Sequence, residues 1–184
     1  RKYDEFGKLV SEISTKFVGL FGNELEEAIQ YELAEIGKFF GSDTVRLYRL
    51  SLQGDVLKIR NTWRSEILNP NEEMTEIHKM KYPKLANHYS QGKSVLFNKF
   101  EDSPQWPEMR TILKIFGNKA GVGVPLEVDS SGVDVFAMDR VLLEHVWPKE
   151  IIEQSKAIGG VILSAMRRRE AEVNLQDSYD EIKE

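Results

Sequence analysis

The residues that could carry chemistry in this chain are few and widely separated. Three histidines, His78, His88 and His145, lie far apart, and there is no cysteine. Structural zinc sites combine cysteine and histidine at short fixed spacings, so we expect no metal site. Gly92-Lys93-Ser94 matches only the end of a phosphate-binding loop signature, because Asn87 stands where that signature has its first glycine. We interpret this tripeptide as a turn that enters a short strand.

A second candidate is the run Arg167-Arg168-Arg169, which could contact a phosphate or an anionic surface. On a helix such a run is more often a solvated face, and Glu170 and Glu172 are spaced to pair with it. We interpret the run as a solvated face. The sequence contains no recognisable nucleophile elbow, acid–base signature or metal motif. We therefore expect no catalytic residue, no cofactor and no enzymatic activity.

The strongest chemical signal is a set of aromatic and thioether side chains in residues 65–117, the segment called the insertion below. The set comprises Met74, Met80, Tyr82, Tyr89, Phe97, Trp106 and Met109. Such side chains line concave, mostly apolar ligand sites, but they could also fill a core that has no cavity. We predict a ligand site in which Tyr82, Tyr89, Phe97, Trp106 and Met109 take part.

Residues outside this set complete the predicted ligand site. Among the strand residues, we expect Trp63, Phe136 and Met138 to lie beneath the insertion. The alternation of a strand does not reveal which of its faces meets which layer. His88 and Arg110 are the candidate polar anchors for a ligand.

The composition excludes several classes of partner. The chain has 184 residues, of which 41% are hydrophobic and 30% charged, and its formal net charge is −5. An acidic chain is a poor nucleic-acid binder, and no apolar run approaches the roughly 20 residues that span a bilayer. Zero cysteines exclude disulfides and cysteine-linked chromophores. We expect a cytoplasmic protein without direct nucleic-acid or membrane contact, cut from a longer chain because it begins at Arg1.

The clearest secondary-structure pattern lies in residues 119–139. Apolar side chains alternate from position 120 to position 128, which predicts a strand. Asp129-Ser130-Ser131-Gly132 has the composition of a turn, and residues 133–139 form a second apolar arm. The pattern predicts a β-hairpin, which we place in the middle of a sheet.

Two helices and another hairpin precede it. Apolar residues at spacings of three and four predict a helix over about residues 4–20. Asn23 is the expected N-cap of a second helix, which ends at Gly41. Residues 44–50 and 56–63 are rich in strand formers and predict a pair of strands.

In the insertion the periodicity weakens and loops dominate. The breakers are Asn69-Pro70, Tyr82-Pro83 and Ser103-Pro104. We expect a helix over residues 83–91, a short strand over 94–97 and a helix from Pro107 to Gly117. After the central hairpin, Pro148 opens a long exit helix.

The order of these elements, together with several motifs, resembles GAF domains, small sensor modules of bacterial signalling proteins. The motifs are Phe6-Gly7-Lys8-Leu9-Val10-Ser11-Glu12-Ile13-Ser14, Ile36-Gly37-Lys38-Phe39-Phe40-Gly41-Ser42-Asp43, Trp63, Gly121-Val122-Gly123-Val124-Pro125-Leu126, Trp147-Pro148 and Ile158-Gly159. The resemblance covers nearly the whole chain. It implies an α+β fold with a GAF-like antiparallel sheet in the order 2-1-5-4-3 and helices on both faces. It also implies a sensor domain over 1–166 and the start of a helical linker over 167–184.

The end of the chain resembles the helix that joins such domains to an output domain. Residues 179–184 are similar to the linker that enters the ATPase domain of sigma-54-dependent transcription activators, and sensor histidine kinases have comparable linkers. The resemblance implies a domain that senses an unknown small molecule and controls such an output domain of the same chain. The alternative is a ligand-free dimerisation spacer. A bilin photoreceptor is disfavoured, because covalent attachment in those families uses a cysteine.

The exit helix also suggests how the protein assembles. Val161, Arg168, Leu175, Tyr179 and Ile182 continue a seam at spacings compatible with a heptad repeat. Polar residues at Arg168 and Glu172 interrupt this seam and would weaken it. We expect a parallel homodimer joined through the first helix and the exit helix.

Overall fold

The centre of the fold is a five-stranded antiparallel sheet in the order β2-β1-β5-β4-β3. The structure is a computed structural model that describes residues 2–68 and 74–183. Its strands are β1 (Thr44–Ser51), β2 (Leu57–Arg64), β3 (Val95–Phe97), β4 (Ala120–Val128) and β5 (Gly132–Arg140). The predicted sheet order and the predicted central position of the β4–β5 hairpin are confirmed. The predicted breaker at Asn69-Pro70 lies outside the described residues.

The turn of the central hairpin is held by one aspartate. The carboxylate of Asp129 accepts hydrogen bonds from the backbone N–H groups of Ser131 and Gly132, at 2.8 and 3.0 Å. This is the local side-chain-to-backbone bonding that makes aspartate common in turns. The edge hairpin β1–β2 instead turns at Gly54, whose φ of +73° suits glycine. A bulge leaves Arg60 of β2 without a direct partner on β1.

Three helices cover one face of the sheet: α1 (Lys2–Phe17), α2 (Gly22–Phe40) and α6 (Ile151–Lys183). Their apolar stripes pack with Val45, Phe136 and other strand residues into the larger of two buried clusters. The close approach of α6 depends on Gly159, because a Cβ there would lie 2.8 Å from the Cβ of Phe136. This cluster is the main core of the domain.

The start of α2 corrects one prediction from the sequence. The N-cap position is Phe21, not Asn23, and its side chain makes no capping hydrogen bond. The backbone N–H of Gly22 instead donates to the carboxylate of Glu172, 150 positions later, at 3.0 Å. The predicted end of α2 is confirmed, since Gly41 adopts the left-handed conformation of a C-cap.

The insertion covers the other face of the sheet. It contains α3 (Met74–Lys79), α4 (Pro83–Ser90), α5 (Pro107–Phe116) and the edge strand β3. Helix α3 was not expected from the sequence, whereas α4, β3 and α5 match their predicted positions closely. The apolar residues of the insertion form a second buried cluster with Leu50, Val133 and other residues of the sheet. No helix in the described part of the chain is long and apolar enough to span a membrane.

Candidate functional site

A small cavity lies between the sheet and the insertion, inside the second cluster. Its volume is about 80 Å³. The wall is apolar on most sides and is supplied by all five strands and by α3, α4 and α5. Lining residues include Leu57, Ile59, Ile77, Leu85, Val95, Ile112, Leu113 and Ala137. Concave apolar space with a few polar groups is the usual character of a small-molecule site, although such sites are commonly about 300–1,000 Å³.

One end of the cavity is polar. Arg46 of β1 and Asp139 of β5 line it, and the closest approach of the guanidinium to the carboxylate is 3.5 Å. The hydroxyl of Thr44 donates to the same carboxylate oxygen at 3.4 Å. The ring of Phe116 lies 4.3 Å from the guanidinium carbon and covers the arginine from α5. Asn118, just after α5, completes the polar end.

Two polar atoms of the cavity lining have no hydrogen-bond partner in the structure. They are Nε of Arg46 and Oδ1 of Asn118, both buried. Only 8% of the Arg46 side chain is exposed. Buried polar groups are normally paired with protein or water. Unpaired atoms beside a cavity therefore indicate a binding position for a polar group of a ligand.

Burial dominates the acid–base behaviour of this end. It raises the pKa of Asp139 from 3.8 to about 6, although the charge of Arg46 and the hydroxyl of Thr44 act in the opposite direction. Burial also lowers the pKa of Arg46, and the charge of Asp139 partly offsets that effect. Both shifts have the same cause, the cost of holding a charge away from water.

Two tyrosines lie next to the polar end, Tyr48 on β1 and Tyr89 on α4. The hydroxyl groups of Tyr48 and Tyr89 are 3.5 Å apart, and burial raises the pKa of both side chains. Tyr89 lies directly over Gly123 of β4, where a Cβ would be only 2.1 Å from the tyrosine oxygen. Glycine at position 123 therefore allows Tyr89 to sit against the sheet.

The structure brings four of the predicted site residues together around the cavity: Tyr82, Tyr89, Phe97 and Met109. Tyr82 is fixed by two hydrogen bonds. Its hydroxyl donates to the carbonyl of Ile77 at 2.8 Å, and its backbone N–H donates to the carbonyl of Gly54 at 2.7 Å. Ligand contact by these residues stays a prediction. The side chain of Met74 lies outside the described part of the structure, and Met80 packs on the second cluster from outside.

Three predicted residues lie on the opposite face of the sheet. Trp63, Phe136 and Met138 belong to the main core with α2 and α6, so their predicted position beneath the insertion is wrong. The physical reason is the approach of the helices: Gly37 makes room for Trp63, and Gly159 makes room for Phe136. The neighbours of opposite parity on β5, Ala137 and Asp139, face the cavity instead.

The three remaining candidates support the insertion from outside the cavity wall. His88 contacts the backbone carbonyl of Ser94 through Nε2 at 2.9 Å, and its ring lies 5.0 Å from the ring of Trp106. Arg110 packs over the ring of Phe100, with 4.6 Å from the guanidinium carbon to the ring centre. His88, Trp106 and Arg110 therefore do not line the cavity, contrary to the prediction.

The polar end itself was missed in the sequence. Arg46 and Asp139 are 93 positions apart, and only the pairing of β1 with β5 brings them together, through the register Thr44 opposite Asp139. The available signal was a charged residue next to apolar ones in a predicted strand: Arg46 lies between Val45 and Leu47, and Asp139 follows Met138. Within residues 2–68 and 74–183, no group of three or more histidine, aspartate or glutamate side chains could hold a metal ion.

The face opposite the cavity carries an ionic cluster centred on Asp134 of β5. Only 1% of this side chain is exposed. Its carboxylate contacts the guanidinium groups of Arg49 and Arg167 at 2.9 Å each, and that of Arg60 at 3.5 Å. Arg167 also pairs with Glu127 of β4. The cluster therefore ties helix α6 to the strand that forms part of the cavity wall.

A second group of contacts, called the junction clasp below, consists of Arg168 and Glu172. The guanidinium of Arg168 donates to the backbone carbonyls of Phe17 and Leu20, at 2.5 and 3.2 Å, and Glu172 accepts from Gly22. These contacts hold α6 to the α1–α2 junction. The prediction of a solvated arginine face is thus wrong for Arg167 and Arg168, which bind the body of the domain.

Solved structures with the same fold are GAF domains and chromophore-binding domains of photoreceptors. The blue-light absorbing form of the Thermosynechococcus elongatus PixJ GAF domain is 13% identical, with a TM-score of 0.61 over 86% of this chain and 94% of that chain. The far-red absorbing dark state of JSC1_58120g3 with bound biliverdin is 11% identical, with a TM-score of 0.67 over 88% and 99%.

A third structure is the chromophore-binding domain of the bacteriophytochrome RpBphP3 from R. palustris. It is 11% identical, with a TM-score of 0.65 over 93% of this chain and 63% of that chain. No protein-family model and no curated protein matches the chain. The chain therefore has the fold of GAF domains, as its sequence motifs imply.

Proposed function

We propose that this chain is a sensory regulatory domain that binds a small molecule in the cavity beneath the insertion. The observation that carries the proposal is the combination of an apolar cavity with unpaired, buried polar atoms that line it, Nε of Arg46 and Oδ1 of Asn118. Regulation rather than catalysis is the proposed role of the site.

Strand β5 is the proposed route from the cavity to the exit helix. Ala137 and Asp139 face the cavity, whereas Asp134 and Phe136 face α6 from the same strand. A ligand that displaces the strand by a fraction of an ångström changes the ion pair of Asp134 with Arg167. The ligand acts as a signal only if it binds two arrangements of α6 with different affinity.

The proposed output is a domain that follows α6 in the same protein. The sequence of residues 179–184 supports the ATPase domain of a sigma-54-dependent activator or a histidine kinase, in a cytoplasmic signalling protein. Helix α6 runs through residue 166 without a break, so the boundary between sensor and linker at 166/167 stays a prediction. Distal apolar side chains of α6 are exposed, with Leu175 at 74% and Ile182 at 83%. A second copy of the chain, packed in parallel through the terminal helices, is their proposed partner.

A bilin is a poor candidate for the ligand. Some structures with this fold are of photoreceptor domains, and one contains bound biliverdin. This chain has no cysteine for a thioether bond to a bilin. Its cavity of about 80 Å³ is well below the roughly 300–1,000 Å³ of common small-molecule sites. Visible absorbance after co-expression with bilin synthesis would contradict this reasoning.

A ligand-free spacer that only holds two output domains together is the second candidate. The exposed apolar residues at the distal end of α6 favour it, because they need a partner whether or not the cavity is occupied. A metabolite library screened by thermal shift, with native mass spectrometry of the purified protein, separates the two functions. Stabilisation by a compound supports a sensor, and the absence of any stabilising or co-purified compound supports a spacer.

The matched control for this screen is a variant with a filled cavity. Ala137 is small, lines the cavity and is only partly buried, so Ala137→Leu places three additional carbon atoms at the wall. A true ligand of the cavity loses its stabilising effect on this variant. A compound that stabilises both proteins equally binds elsewhere and does not support the proposal.

The proposed homodimer has its own test. Sedimentation of a chain extended past Glu184 should show dimers at tens of micromolar, since helix pairing strengthens as more of the seam is present. Leu175→Asp, at an exposed position of the seam, should shift this chain to monomer. If the extended chain without any substitution is a monomer, both the helix seam and signalling through the helices are rejected.

A further inference from the structure

We propose that the ligand of the cavity is a short-chain carboxylate, bound at the polar end beside Arg46 and Asp139, and that its binding takes up one proton. The inference rests on the proposed function, because it names the chemistry of the molecule that the same cavity would sense. Two observations support it: the hydrogen-bonding atoms at the polar end of the cavity, and the small volume of the cavity.

The donor inventory favours an anionic acceptor. An arginine has five N–H donors, yet Nε of Arg46 has no hydrogen-bond partner, and the guanidinium approaches Asp139 only to 3.5 Å. Planar bidentate pairing with a carboxylate is the geometry for which guanidinium is best suited. The unpaired Nε of this guanidinium therefore matches a carboxylate in the cavity better than it matches an amine.

The size of the cavity limits the rest of the molecule. On this scale about 10–15 Å³ of cavity volume holds one water, so about 80 Å³ accommodates roughly five to eight groups of that size. A carboxylate with one to three additional carbons fills this space, and its alkyl part would contact Ile59, Leu113 and other apolar residues of the wall. A larger acid would require the insertion to move outwards.

The proton uptake follows from the charges that face the site. Asp139 is already beside the position of the incoming anion, and two carboxylates at close range do not both stay ionised. The pKa of Asp139 is raised to about 6 in the ligand-free protein, so protonation of this carboxylate near neutral pH costs little free energy. Protonated Asp139 can donate a hydrogen bond, and the proton comes from solvent. No covalent bond forms or breaks in the ligand.

The other groups around Asp139 do not replace it in this role. From β1 it faces Arg46, Tyr48 and the hydroxyl of Thr44, and from α4 it faces Tyr89. Burial raises the pKa of both tyrosines, so they stay neutral. Arg64 of β2 acts on Arg46 electrostatically and lowers its pKa. Near pH 6, Asp139 is therefore the group that takes up the proton.

The experiment uses the 184-residue chain and three probes of similar size: propionate, propionamide and 1-propanol. Binding is measured by amide chemical-shift titration at pH 6 and pH 7.5, where propionate stays ionised. Five heavy atoms supply limited binding energy, so we expect dissociation constants on the order of millimolar. Propionate should bind at least 10-fold more tightly than the neutral probes at pH 6. Its affinity should fall roughly 15-fold at pH 7.5, the ratio of protonated Asp139 at the two pH values for a pKa of about 6.

Two substitutions separate the roles of the pair, and folding of each variant is checked by its amide spectrum. Arg46→Met should lose propionate binding. Asp139→Asn should bind propionate at both pH values with one affinity, because the amide mimics the protonated acid. Lys114→Met, which removes an exposed cation from α5, should bind as wild type does. A pH profile that is unchanged in Asp139→Asn, or equal binding of all three probes, would overturn the proposal.

Failure of this inference is distinct from failure of the sensor function. If the metabolite screen finds a neutral ligand and propionate does not bind, the sensor function is supported and the carboxylate site is rejected. If propionate binds as expected but the amide signals of residues 173–183 do not change, the carboxylate site stands and transmission to α6 fails. If Arg46 and Asp139 are only a structural pair, neither variant alters binding of any probe, and the carboxylate site is rejected.

Discussion

Substitution of Gly123 by alanine tests directly whether Tyr89 closes the cavity against the sheet. The added Cβ would lie 2.1 Å from the tyrosine oxygen and 3.2 Å from Cζ, the next nearest atom. The first distance is far below van der Waals contact, so Tyr89 and the helix that carries it must shift. The second distance is tight but requires a movement of only a few tenths of an ångström. Removal of the hydroxyl should therefore relieve most of the clash.

The structure sets the expected magnitudes for a double-mutant cycle. Overpacking of a well-packed site costs about 1–3 kcal/mol, so Gly123→Ala should lose that amount of unfolding free energy. Tyr89→Phe keeps the ring and loses one hydroxyl contact with Tyr48, 3.5 Å long, so its cost should stay below about 1 kcal/mol. The double variant should be close to Tyr89→Phe alone. The resulting coupling energy is then the cost of Gly123→Ala itself, about 1–3 kcal/mol, which is above the error of such cycles.

Urea denaturation followed by tryptophan fluorescence measures all four proteins of the cycle. Gly160→Ala is the control, because no atom lies within 4 Å of a Cβ at that position of helix α6. It should raise stability by about 0.5–1 kcal/mol, since alanine is the better helix former. Additive losses in the double variant, with coupling near zero, would show that Tyr89 does not lie over Gly123. The closed cavity would then have to be abandoned.

Three further predictions concern the core, the buried carboxyl and the junction clasp. Trp63→Ala should cost about 3 kcal/mol in urea melts, at the low end for a buried aromatic because Trp63 is only partly buried. The unfolding free energy of the wild type relative to Asp139→Asn should fall as pH rises from about 4 through about 6. The native state holds that proton more tightly, and the total change is up to about 3 kcal/mol. Glu172→Ala should cost about 1 kcal/mol through loss of the α2 cap, whereas Glu181→Ala, at an exposed position, should cost nothing measurable.

Each of these expectations has a result that would contradict it. A loss below about 1 kcal/mol for Trp63→Ala would place its ring outside the main core. A stability difference between wild type and Asp139→Asn that stays constant with pH would mean that the carboxyl is not desolvated in the native state. Equal effects of the two glutamate substitutions would show that the cap on Gly22 contributes no stability.

The sequence predicted the elements that depend on near neighbours in the chain. The β4–β5 hairpin follows from alternation and from the Asp129 turn, and the end of α2 follows from Gly41. The capping prediction at Asn23 failed because the true cap, Glu172, comes from the far end of the chain. Local capping rules contain no information about such a partner. The strand order came from the resemblance to GAF domains, since spacing alone does not specify it.

The candidate site was predicted only in part, for a similar reason. The aromatic residues of the insertion were recognised by type, and four of them do line the cavity. Alternation along β5 divides its residues into two sets, but it does not say which set meets the helices. That choice depends on the match between Phe136 and Gly159, which lies on another element. The Arg46–Asp139 pair likewise exists only because β1 and β5 are adjacent.

The junction clasp fixes where the exit helix becomes free of the domain. Every described residue after Glu172, from 173 to 183, is exposed. At a rise of 1.5 Å per residue, the free part from Glu172 to Lys183 is a rigid arm of about 16 Å. A tilt of about 10° at the clasp would move the tip of this arm by about 3 Å, by simple leverage on that length. The clasp is thus a pivot, at which a small tilt of α6 becomes a displacement of about 3 Å at Lys183.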